Sequence, residues 1–254
     1  MMPYKRTLII FAVIAASVFA QEMKPDAAKL YNEGNQKMKV GNFSGAIQSY
    51  DAALKIDQDY RIYYQKGIAH RKSNQLEESF NSLKKCAEMK PDFDLVYNAL
   101  GSTEFSRGNY ESAADYFVKL LELTKNAQLK NMANDNLSLS YTKLGDLAIK
   151  GGEQDKAISY LDRAVKHDDS NAAAHLALTR AFIEAGKYND AISAAKQALD
   201  SKANISRGGV YYYQGLAFKN LGKLADAKIS FEEGRKDPTY RIVCDYELKN
   251  LPKN

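Results

Sequence analysis

Apolar side chains recur along most of this chain at spacings of three and four residues, the period of one helical face. The periodic segments are about a dozen residues long and are punctuated by Gly or Asn, which predicts short helices joined by tight turns. The pattern also repeats on a longer scale. A small residue sits inside an apolar segment at Gly34, Gly67, Gly101, Gly145, Thr179 and Gly215. A turn residue follows at Gly41, Asn74, Gly108, Gly152, Gly186 and Gly222. A third small residue comes at Ala46, Ser79, Ala113, Ala157, Ala191 and Ala227. In all three columns the successive gaps are 33, 34, 44, 34 and 36 residues.

Each column has a physical reason. Small side chains in the first and third columns let two antiparallel helices approach closely. Gly or Asn in the second accepts the left-handed conformation that closes a helix. Four residues past the third column lie Tyr50, Leu83, Phe117, Leu161, Ala195 and Phe231, and three further on Ala53, Cys86, Leu120, Ala164, Ala198 and Gly234. Those offsets place both sets on one helical face. The unit is therefore a helix, a tight turn and a second helix, and it is used six times. The gap of 44 adds about ten residues between Asn126 and Ser138, with neither Pro nor Gly. This stretch reads as an extension of the fourth unit's first helix, about 15 Å long at 1.5 Å per residue; a separate short helix is the alternative.

The unit resembles the tetratricopeptide repeat. That family's aromatic, Leu-Gly and aromatic pattern is met at Tyr97, Leu100 and Gly101, at Tyr141, Leu144 and Gly145, and at Tyr211, Gly215 and Phe218. Pro91 fills the late proline position, and Pro238 sits one residue early. The fourth unit departs most, through the residues added before it, and in the fifth Thr179 replaces Gly and Ala195 replaces the aromatic. The resemblance implies an all-α fold, an α-solenoid over residues 21–238 with units near 27–60, 60–93, 94–127, 138–171, 172–205 and 208–238. Residues 239–254 are expected to form a C-terminal capping helix, with Tyr240, Val243, Cys244 and Leu248 on its packed side. It also implies binding on a concave face lined by the first helix of each unit. Carried onto this chain, the candidate groove residues are Tyr31, Asn35, Tyr64, Arg71, Asn98, Phe105, Thr142, Arg180 and Tyr212. Most of the cations by which some family members clamp a chaperone's C-terminal carboxylate are missing, so that ligand is not expected.

The remaining sequence narrows function by exclusion. Lys5 and Arg6 precede an uncharged apolar run from Leu8 to Val18, and Val18-Phe19-Ala20 suits cleavage before Gln21. Residues 1–20 thus read as a signal peptide, with an uncleaved anchor as the alternative. The expected location is periplasmic or secreted, with no membrane span after cleavage. Net charge is +5 over the whole chain and would be +3 without Lys5 and Arg6, too small and too dispersed an excess to indicate nucleic acid. The two cysteines, Cys86 and Cys244, fall several units apart, so free thiols are expected. No phosphate-binding glycine loop, nucleophile elbow or zinc-binding histidine motif is present. His70, His167 and His175 are dispersed, and Asp168-Asp169 reads as a cap ahead of the fifth unit. No catalytic residue, metal or cofactor is assigned. The expected function is a non-enzymatic exported scaffold that binds a peptide or helix of a partner protein, with cell-envelope assembly as its setting. The alternatives are a self-associating homo-oligomer and an accessory subunit of an enzyme complex.

Overall fold

The computed structural model describes residues 22–201 and 205–252; the expected signal peptide lies outside them. The described residues form helices and no strand. The first unit is α1 (Pro25–Lys39) and α2 (Phe43–Ile56), and the second is α3 (Tyr60–Lys72) and α4 (Leu76–Met89). Next come α5 (Asp94–Arg107) with α6 (Tyr110–Leu123), then α7 (Ala127–Lys150) with α8 (Gln154–His167). The last two pairs are α9 (Ala172–Glu184) with α10 (Tyr188–Asp200), and α11 (Arg207–Asn220) with α12 (Leu224–Gly234). A final helix, α13 (Arg241–Lys249), packs on α12. The architecture is the expected all-α solenoid of six helix pairs with a capping helix.

The turns follow the expected chemistry. All six turn-column residues have positive φ, from 59° at Asn74 to 82° at Gly108. The helix pairing differs in one respect from the sequence reading. A Cβ on Gly101 would lie 2.7 Å from Cε1 of Phe117, and one on Gly67 would lie 2.6 Å from Cγ of Leu83. The small first column therefore seats the bulky side chain four residues beyond the third column, with no space left over. In the fifth unit Thr179 and Ala195 are both fully buried, so the bulk has moved to the other helix of the pair.

Side-chain caps start several helices. Asn42 accepts from the Gly45 N–H at 2.9 Å, Asn126 from Leu129 at 3.1 Å, and Ser206 from Gly209 at 3.2 Å. Asn171 caps α9 through the Ala174 N–H and also donates to Ser138 Oγ at 2.8 Å. This corrects the assignment of Asp168-Asp169 as the cap: Asp168 follows α8, and its carboxylate accepts from the backbone and hydroxyl of Ser170.

The ten extra residues lengthen α7 to 24 residues. Ala133 and Leu137 bury one side of the added turns, and Asn134 Oδ1 lies 3.0 Å from His167 Nδ1 on α8. At the other end, Cys244, Tyr240 and Leu248 pack against Phe231 as expected. Val243 does not; it is partly exposed, and Ile242 and Tyr246 point further outward. Cys86 and Cys244 are free and fully buried. No described helix is long and apolar enough to cross a membrane.

Candidate functional site

Successive first helices pack on one another, α1 on α3, α3 on α5, α5 on α7, α7 on α9 and α9 on α11, and the second helices have no comparable packing. The first helices therefore line the inner, concave side of the array. Their contacts are more extensive from α7 to α11, where small buried side chains such as Ala174, Ala177 and Ala181 let α9 sit close to its neighbours. Toward the N-terminus the face opens. Between α1 and α3 is a cleft of about 580 Å³ lined by Asn32, Asn35, Gln36, Met38, Lys39 and Gln65.

The nine candidate residues are not equivalent in this setting. Tyr31 is half-buried, with its ring 6.0 Å from that of Tyr50, whose hydroxyl donates to Asn35 Oδ1 at 2.7 Å. Tyr64 meets Phe93 edge to face at 5.1 Å, and burial raises its pKa. Arg71 and Asn98, on α3 and α5, hold buried polar atoms without partners: Nε of Arg71 and Oδ1 of Asn98. Phe105 packs on Tyr110 of its own unit at 5.1 Å. Arg180 is paired with Glu184 on the same helix, Nε to Oε1 2.9 Å.

One candidate does not line the open face. Thr142 is buried, donates to the Ser138 carbonyl at 2.7 Å and accepts from Asn171. Tyr212 is half-buried and contacts Tyr213, Phe231 and Tyr240, with ring centroids 5.2, 6.3 and 5.8 Å away. It is Tyr213 that reaches α9, close enough to Arg180 and Glu184 for their charges to act on its hydroxyl. The sequence reading did not assign Asn32, Gln36 and Gln65 to the groove. The signal for Gln65 was its adjacency to Tyr64, since a residue 100° further round the helix can share a broad concave face.

Charge is distributed unevenly over this surface. Lys66 pairs with Asp51 at 2.6 Å, Arg61 with Asp59 at 2.6 Å, and Lys219 with Glu247 at 2.6 Å. Arg107 binds both Glu77 and Glu104. Lys39, Arg71 and Lys72, in the last turns of α1 and α3, have no carboxylate partner among the described residues. No group of three or more His, Cys, Asp or Glu side chains suited to a metal ion occurs among the described residues.

Comparison with known proteins agrees with this geometry. Tetratricopeptide repeat models match residues 60–93, 95–127 and 148–207. Together they cover half of the chain, which belongs to the tetratricopeptide repeat family. None of these models describes a catalytic domain. The chain is similar to the human DnaJ homolog subfamily C member 3, 24% identical over 218 residues, covering 83% of this chain and 42% of that protein. It is also similar to the small glutamine-rich tetratricopeptide repeat-containing protein 2 of Mycosarcoma maydis, 26% identical over 98 residues, or 38% of this chain and 28% of that one. The chain spans less than half the length of these curated relatives. Among solved structures, MamA aligns with a TM-score of 0.52 at 23% identity, covering 69% of this chain and 91% of that chain. YrrB, described as a TPR protein with an unusual peptide-binding site, aligns with a TM-score of 0.55 at 16% identity, covering 79% and 97%. At these identities the structural likeness concerns the fold.

Proposed function

We propose that this protein is a non-enzymatic scaffold that holds an extended segment of a partner protein along its concave face. The observation that carries the reading is the set of unused polar groups on α1, α3 and α5. The side-chain amides of Asn32, Gln36 and Gln65 have no hydrogen-bond partner among the described residues, and Asn98 and Arg71 bury unsatisfied atoms there. An extended peptide exposes N–H and C=O groups at every residue, and side-chain amides both donate and accept. The peptide-binding site ascribed to YrrB, and the co-chaperone named Hsp70-Hsp90 organizing protein among the curated relatives, are in keeping with this reading. The N-terminal apolar segment supports export, with the periplasm or the cell exterior as the working location and cell-envelope assembly as the setting.

The test is site-specific photo-crosslinking. A photoreactive residue at Gln65 is expected to trap a partner in the native compartment, and one at the exposed Lys119 on α6 is not. Equal labelling from both positions, or none from Gln65, would contradict the reading. Self-association is a second reading, favoured by Ile242 and Tyr246, which are 81% and 65% exposed on the outer side of α13. Sedimentation at increasing concentration decides it: a constant monomer mass removes it.

A further inference from the structure

We infer that the outward face of α13 rests on an anionic lipid surface, with Ile242 and Tyr246 in the interface and Arg241 and Lys249 among the phosphates. This goes beyond the concave-face reading and stands independently of it. α13 is held from one side only. Cys244 is fully buried in the cluster with Phe231, and a Cβ on Gly234 of α12 would lie 2.8 Å from its Sγ. At about 100° per residue, Ile242, Tyr246 and Lys249 fall about 140–200° around the helix axis from Cys244, on the side turned away from the array. There Ile242 and Tyr246 are largely exposed, and Val243 beside them is partly so. This is the pattern of a helix lying in an interface. Its outer side carries apolar groups, a tyrosine with an apolar ring and a polar tip, and long cations that reach past them.

Charge decides the occupant. Both carboxylates of α13 are already neutralised: Asp245 pairs with Arg235 at 3.3 Å, and Glu247 with Lys219 at 2.6 Å. Arg241 and Lys249 are exposed and have no carboxylate partner among the described residues. The face therefore presents apolar side chains between two unpaired cations, one at each end of the helix. Its complement must supply negative charge and admit apolar groups, and an anionic bilayer interface does both. A second copy of α13 does not. In a two-fold antiparallel pairing about Asp245, Arg241 of one copy faces Lys249 of the other, and a parallel pairing sets each cation against itself. Like charges meet either way. With 9 residues α13 is far too short to cross a bilayer, so it lies on the surface. Two apolar side chains and two cations give weak, reversible attachment that salt opposes. Docking through the end of the array leaves the concave face free.

The chain has no Trp, so Tyr246→Trp in the full chain places a single fluorescent reporter on this face, and Lys119→Trp on α6 is its control. The readout is local because the apolar run from Leu8 to Val18 can bring the chain to any bilayer. Each protein is titrated with vesicles of brominated phosphatidylcholine, alone or mixed equally with phosphatidylglycerol. With the anionic vesicles the reporter at position 246 is expected to shift to the blue and be quenched by the bromines. Neutral vesicles should do neither, high salt should reverse the effect, and the reporter at position 119 should not respond. In the Tyr246→Trp background, Arg241→Gln combined with Lys249→Gln should weaken the response at low salt by about tenfold or more. Ile242→Ser should weaken it too. All these positions are exposed, and a cooperative melt checks that each variant is folded. No response at position 246, an equal response to neutral vesicles, equal responses at positions 246 and 119, or unchanged affinity in the double cation variant would overturn the inference. A blue shift that grows with protein concentration in the absence of vesicles would also overturn it, by giving the face to a second copy. Crosslinking at Gln65 is unaffected by any of these results, so the two readings fail separately.

Discussion

Thr179 and Ala195 show how side-chain volume is shared within a helix pair. Elsewhere a Gly on the first helix receives a Tyr, Leu or Phe from the second, but the fifth unit has Thr facing Ala, and both are fully buried. Ala195→Leu alone should overpack this contact and cost about 1–3 kcal/mol. Thr179→Gly alone should also destabilise, by about 1–3 kcal/mol, through a cavity and a helical Gly. Together they restore the arrangement of the other units, so the double variant should lose less than the sum by about 1 kcal/mol or more. Urea denaturation of the four proteins measures this coupling, and simple additivity would refute the pairing. The same scale explains what was misread at the groove. Tyr212 and Tyr213 are neighbours in sequence, and the column spacing favoured Tyr212. Both rings are half-buried in the fold, Tyr212 against Tyr240 ahead of α13 and Tyr213 toward Arg180 on α9. Thr142 occupies a groove position by spacing, yet Asn171 from the next unit engages its hydroxyl.

At the scale of helices, the chain's punctuation was readable because capping and turning are local. Six turn residues with positive φ, and Asn126 ahead of the lengthened α7, follow from the conformations that Gly and Asn accept. The absence of Gly or Pro from the added stretch made a continuous helix the simplest outcome, and α7 is one. The cap of α9 was assigned wrongly because Asp168, Asp169 and Asn171 are all competent caps, and the exact end of α8 decides among them. These caps also differ in weight. Asn126→Ala should cost about 1 kcal/mol, the usual value for an exposed cap. Asn171→Ala should cost about 2–3 kcal/mol, because it also leaves the buried Ser138 and Thr142 hydroxyls without their donor. Thermal denaturation ranks the two, and an equal loss would mean that the contacts to α7 contribute nothing.

Across the whole molecule, stability is shared among adjoining pairs, and buried ionisable groups are distributed along the array. Burial pushes the Cys86 thiol up to about 12 and that of Cys244 up to about 11, from an ordinary value of 9.0. Burial also raises Tyr50, Tyr64, Tyr212 and Tyr213. Each group keeps its proton to higher pH when folded than when unfolded. Above about pH 9 the folded state therefore holds more protons, and stability falls as pH rises through the window up to about 11–12; below about pH 9 the contribution is fully present. The urea midpoint should be level at neutral pH and decline from about pH 9 upward, less steeply in a Cys86→Ala, Cys244→Ala variant. An identical decline in both proteins would mean that the thiols ionise as freely in the fold as outside it.

The sequence by itself determined the all-α class, the helix–turn–helix unit, its six-fold use and the lengthened fourth unit. Each of these is a local property: a period of apolar positions, a residue that tolerates positive φ, a run without a helix breaker. Only the tertiary structure decided which inner-face groups are still available. Accessibility depends on what an adjoining unit lays over a side chain, as Asn171 does over Thr142. It depends equally on which charges find partners across helices, and that is why Arg71 and Asn98 stand apart from residues that the spacing alone had ranked with them.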